Sequence, residues 1–149
     1  HDLAKFMFGV SVFWAYLWFS QFMLIWYANI PEEVVYFVAR IQDYSLPFWG
    51  MIVTNLIFPF LVLMNSDYKR VNWLIVMTGI VILFGHYLDF YNMIMPGTVG
   101  DQWFIGVPEI GGILFFSGLF IYVVFKTLTK ASLEPSGDPL FKESEKFVY

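Results

Sequence analysis

Four apolar runs, each long enough to cross a bilayer as a helix, are separated by short segments that hold most of the charge. A helix rises about 1.5 Å per residue, so a hydrocarbon core of roughly 30 Å takes about 20 residues. The pattern predicts spans over residues 3–30, 47–65, 72–95 and 108–130. Between the first two, Pro31-Glu32-Glu33 starts a helix, because proline is tolerated in the first turn and carboxylates favour the positive end of the helix dipole. Val34, Val35, Val38 and Ile41 give this segment, residues 31–43, an apolar side, and it is expected to lie along the membrane surface. The fold class predicted is all-α, a polytopic transmembrane helical bundle. Residues 131–149 form a tail too polar and too broken by proline and glycine to build a core.

The third run, residues 72–96, carries two ionisable groups well inside it. His86 and Asp89 are three residues apart, so on a helix they project from nearly the same face, which Gly79 and Met93 share. A carboxylate in a spanning helix costs at least about 2.5 to 3.5 kcal/mol, so such a group normally faces other protein or a water-filled cavity. Asp89 is therefore the first functional candidate. With His86, and with Tyr87 and Tyr91 nearby, it is expected to form part of a proton path or proton-linked switch. The competing account is a structural contact that neutralises or pairs the two groups.

Other intramembrane polar groups are weaker signals. Ser20 and Gln21 in span one are expected to hydrogen-bond across a helix interface, at about 0.6 to 2 kcal/mol each. In span two, Pro59 has no N–H for the carbonyl of Asn55 and bends the helix there. Asn55 then serves either a kink satisfied by neighbouring helices or a contact with ligand or water. Trp14, Trp18 and Trp26, with Tyr16 and Tyr27, run through most of span one instead of gathering at its ends, so some of these rings must pack against other helices. Trp73 at one boundary, and Tyr91, Trp103 and Phe104 at the other, are expected near the headgroups. Gly111 and Gly118 share a face of span four and allow a close helix neighbour.

Composition supports the membrane reading: 59% of residues are hydrophobic and 13% charged, outside the range of ordinary soluble domains. With no cysteine, the chain holds no disulfide, thiolate metal site, iron–sulfur cluster or covalently attached haem. The only histidines, His1 and His86, belong to opposite ends of any span, so a bis-histidine haem or other metal site within the chain is not expected. Phosphate-binding glycine loops and nucleophile–base pairs are missing, so no catalytic residue is assigned. The few basic residues sit at membrane boundaries, which excludes nucleic acid as a partner. Membrane lipids are the expected surroundings.

Those basic residues predict an orientation. With four spans, Lys5, Lys69, Arg70, Lys126, Lys130, Lys142 and Lys146 fall on one side and Arg40 alone on the other. The positive-inside rule makes the first side, and both ends of the segment, cytoplasmic. Asp89, seven residues before Pro96, then lies roughly 10 Å from the outer end of its helix, and His86 about one turn deeper. The opening HDLAK has neither a basic region nor a cleavage site, so the first helix reads as the continuation of an upstream chain and not as a signal peptide.

The opening HDLAKFMFG, the run FWAYLWFSQFMLIWYANIPEE and the stretch LFGHYLDFYNMIMPG resemble the membrane subunits called ActF of bacterial alternative complex III, in the NrfD/PsrC-like family. The resemblance covers all four spans, and FSQFMLIWYANIPEE is its most specific part. It implies the C-terminal portion of a bundle of about ten spans in the bacterial inner membrane. It implies a complex that oxidises quinol, menaquinol included, and reduces cytochrome c or a high-potential protein. The partners implied are a related NrfD-like sister subunit, a multihaem cytochrome c, an iron–sulfur protein and, in some assemblies, a terminal oxidase. Haem c and iron–sulfur clusters would belong to those partners, with no cofactor in this chain. The role implied here is a proton half-channel or energy-coupling element. A small proton-coupled transporter and a purely structural scaffold subunit stand as alternatives, the first requiring an internal symmetry that is not visible in the sequence.

Overall fold

Asn29 takes a left-handed conformation, φ 49°, and ends the first long helix, its N–H reaching Ile25 O at 3.1 Å. Pro31 starts the next helix in its first turn. These two residues turn the chain at one end of the bundle. The computed structural model describes residues 1–101, 104–132, 137 and 139–146, and among these it is helical with no strand. The helices are α1 (Asp2–Ala28), α2 (Pro31–Gln42), α3 (Ser45–Ile52), α4 (Phe58–Met64), α5 (Asn72–Thr98), α6 (Val107–Leu128) and α7 (Phe141–Lys146). Four helical stretches are long and apolar enough to cross a membrane: Asp2–Ala28, Ser45–Met64, Asn72–Thr98 and Val107–Leu128. The chain is a polytopic, all-α membrane protein.

The second span is not one regular helix. A π-helical turn, Val53–Ile57, joins α3 to α4, and Phe58 N–H bonds the carbonyl of Val53, five residues back. Pro59 explains it, since a residue without an N–H cannot continue the α-helical ladder and the chain widens by one residue just before it. Pro96 acts more gently. It lies within the last turn of α5, so the helix runs past the expected stop to Thr98, and only the carbonyl of Asn92 is deprived of its helical donor.

The described residues form two compact units, 1–103 and 104–149. In the first, α1 lies along α4, with Ala4 and Ser11 buried and Phe8 at 5.6 Å from Phe60, ring centre to ring centre. Helix α5 buries Thr78, Gly85 and Asn92, which recur every seven residues on one face. A Cβ on Gly85 would collide with the side chains of Asn55 and Thr54, so only glycine lets α5 approach the π turn this closely. Of the aromatic stripe of span one, Trp14 and Trp18 pack inward, whereas Tyr16, Trp26 and Tyr27 are exposed. Trp18 stacks between Trp14 and Phe22, meets Phe37 edge-on at 6.2 Å and lies 5.6 Å from Phe48.

Helix α2 packs on the first unit by the face opposite its valines. Phe37 and Arg40 are buried, whereas Val35, Val38 and Ile41 are exposed. In a membrane protein the apolar stripe can face lipid, and the aromatic and polar groups gather against protein. At the other end of this unit, Lys69 sits 5.6 Å above the ring of Phe8, so the first turns of α1 and the turn after α4 share one end.

In the second unit, Glu109 accepts the N–H of Gly106 at 2.8 Å and so caps the start of α6. Near its far end Lys126 donates to Tyr122 Oη at 3.3 Å. Open space surrounds the Cβ positions of Gly111, Gly112 and Gly118 within 4 Å. Trp103 and residues 133–136, 138 and 147–149 of the tail lie outside the described residues.

Candidate functional site

Asp89 is half-buried on the α5 face turned toward α1, and Trp14 meets it there. The indole Nε1–H of Trp14 donates to Asp89 Oδ2 at 2.9 Å. The same indole meets the His86 ring edge-on, with centroids 6.2 Å apart. Trp14 thus touches both ionisable residues of the span. Its orientation is set in turn by stacking on Trp18 at 6.4 Å, so the donor is held by packed rings and not by a free rotor.

A cavity of about 350 Å³ opens beside Asp89. Trp14, Trp18, Phe37 and Phe48 supply much of its apolar wall, while Gln21, Arg40, Asp89 and Asn92 supply its polar groups. Asn92 is buried; its amide N–H₂ approaches Met51 Sδ at 3.8 Å and its Oδ1 has no partner. The space is polar enough to hold water, which seeks two to four such partners.

Arg40 is the unexpected member. It is only 6% exposed, and its fork is split between two backbone carbonyls: Nη1 donates to Tyr36 O at 2.7 Å and Nη2 to Met93 O at 3.1 Å. The guanidinium also lies 3.4 Å from the centre of the Tyr36 ring. Burial lowers its pKa from the usual arginine value, opposed by the neighbouring Tyr36 and Tyr44. A guanidinium remains charged at physiological pH regardless, and here it sits near the C-terminal end of α5, where the helix carbonyls favour a cation. Met93 is one turn beyond Asp89, so the Arg40 contact on α5 lies about 6 Å along the axis from the acid. Nε of Arg40 is buried without a partner. Next to it, Tyr44 donates its hydroxyl to Gly100 O. Burial, then the charges of Asp101 and Asp43, push the Tyr44 phenol above its usual value, so it stays a donor at neutral pH.

The other predicted residues are placed elsewhere. Tyr87 and Tyr91 approach each other, centroids 6.5 Å apart, on a face of α5 away from Asp89, and neither lines the cavity. Ser20 does not reach across an interface; its hydroxyl donates to Tyr16 O at 2.7 Å within its own helix, where a serine finds the nearest carbonyl. Gln21 lines the cavity. Asn55 is 1% exposed at the π turn, with neither side-chain polar atom partnered. Among the described residues no cluster of three or more His, Asp or Glu is arranged to hold a metal ion.

No protein-family model matches this chain, and no curated protein matches it either. The geometry therefore carries the functional argument: an acid on a spanning helix, oriented by a second helix, beside a cavity that a buried cation also lines.

Proposed function

We propose that this chain is a membrane subunit of a bacterial quinol-oxidising respiratory complex of the alternative complex III type, in which the Asp89 region serves as a proton half-channel or energy-coupling element. The resemblance of the FSQFMLIWYANIPEE and LFGHYLDFYNMIMPG stretches supports the type of complex. The observation that supports the role is the bond from Trp14 to Asp89 at the edge of a cavity large enough for water. A carboxyl so placed can exchange a proton with water while one oxygen stays anchored. The charge asymmetry of the loops supports an inner-membrane orientation with both ends of the segment cytoplasmic, which puts α2 and the cavity in the outer half. Quinol, the electron acceptor, haem c and iron–sulfur clusters belong in this reading to partner subunits.

The test is what accompanies the chain out of the membrane in mild detergent. Multihaem cytochrome and iron–sulfur subunits at fixed stoichiometry are expected. A homogeneous oligomer of this polypeptide with transport activity of its own would overturn the reading and favour a small proton-coupled transporter.

A further inference from the structure

Helix α2 contributes Tyr36, Phe37 and Arg40 to the wall of the Asp89 cavity. It is bounded by two places where the chain turns, the left-handed Asn29 before it and the Asp43–Tyr44 junction after it. Its hydrogen bond to α5 is the one from Arg40 Nη2 to Met93 O. The bond is made by a buried guanidinium whose Nε has no protein partner, in a cavity that also presents the unpartnered Oδ1 of Asn92. Buried polar atoms of this kind are normally satisfied by ordered water. The exposed side of α2 carries Val35, Val38 and Ile41.

We propose that the cavity is a water-holding vestibule to Asp89 and that α2 is its lid, latched to α5 by Arg40. Closed, the guanidinium and the rings of Tyr36 and Phe37 separate Asp89 from the aqueous phase on the α2 side. When Arg40 leaves Met93 O, α2 swings about its two ends and water reaches the acid. The ionisable groups facing Asp89 and the vestibule are His86 on α5 itself and Tyr36 and Arg40 on α2; α1 supplies Trp14 and Gln21, and α3 supplies Phe48 and Met51, none of which titrates. The inference deepens the proton-exchange reading of Asp89 and supplies the gate that such a site needs. Its test measures access alone, so it stands or falls separately from proton coupling.

The chain contains no cysteine, so one introduced thiol reports alone on this polypeptide. Asn92→Cys places it in the vestibule, and Thr78→Cys places a control on the same buried face of α5 about four turns away. The intact assembly in sealed vesicles is treated with a membrane-impermeant maleimide from either side. Asn92→Cys is expected to react slowly, from the α2 side only, and about tenfold or more faster when combined with Arg40→Met, since a charge-assisted hydrogen bond is lost. Thr78→Cys should stay unreactive in both backgrounds. An unchanged rate with Arg40→Met, equal acceleration at both positions, or entry from the Lys69 side would each overturn the proposal. Hydrogen exchange on the unsubstituted protein gives a second reading that needs no variant. The amides of α2 should exchange together and ahead of those around Met51 and Asn92, and equal protection of all three would contradict a lid.

Discussion

Trp14 and Asp89, separated by 75 residues, meet through an N–H···O bond of 2.9 Å between the first and third spans. The bond meets two needs at once. It satisfies an indole donor that lies among aromatic rings, and it fixes one oxygen of an acid that would be costly in contact with lipid.

Trp14→Phe should isolate that bond, because phenylalanine keeps an aromatic ring against Trp18 and His86 and removes only the donor. A cost of about 1 to 3 kcal/mol is expected, the range for hydrogen bonds to charged or buried groups. Thermal dissociation of the purified assembly measures it. A variant as stable as the parent would mean that water replaces the indole without loss.

Gly85→Ala should be destabilising by about 1 to 3 kcal/mol, because the added methyl falls on the side chains of Asn55 and Thr54 at the π turn. Asn55→Ala alone leaves room at this crossing. Combined with Gly85→Ala it should restore part of the loss, a coupling expected only for residues in direct contact. Yield and melting of the four variants in detergent check it, and strict additivity would contradict the packing described here.

The orientation can be tested on the tail after α6. Sealed right-side-out vesicles should protect residues 131–149 from added protease, and inverted vesicles should expose them, as the basic residues on that side require. Cleavage in right-side-out vesicles would place Asp89 and α2 toward the opposite compartment.

Much of the fold was legible because membrane spans are a matter of length and hydropathy, and those are local. The face of Asp89 was legible too, since an acid on a spanning helix has few places to point. Its partner was not, because the register of Trp14 against Asp89 depends on how two helices pack, and ten aromatic residues compete along span one. Arg40 reads in the sequence as a charge on the short surface helix that marks one side of the membrane. Its burial follows from the end of α5, where Met93 offers a carbonyl, and nothing near residue 40 announces that. The valines of α2 are exposed, and the residues that α2 buries are Phe37 and Arg40. Hydrophobic periodicity identifies a helix in either setting, but lipid reverses which face needs covering. Ser20 illustrates a smaller ambiguity: a serine in a helix has its own carbonyl four residues back as close as any neighbour.

The central claim is that Asp89 exchanges protons during turnover. Asp89→Asn keeps the size of the side chain and an oxygen acceptor for Trp14, but removes the titrating group. In the reconstituted, fully assembled complex, the account predicts fewer protons moved per electron for Asp89→Asn, or slower turnover against a membrane potential, with quinol oxidation retained in its absence. Unchanged proton coupling together with unchanged quinol oxidation would contradict it and leave Asp89 as a structural contact.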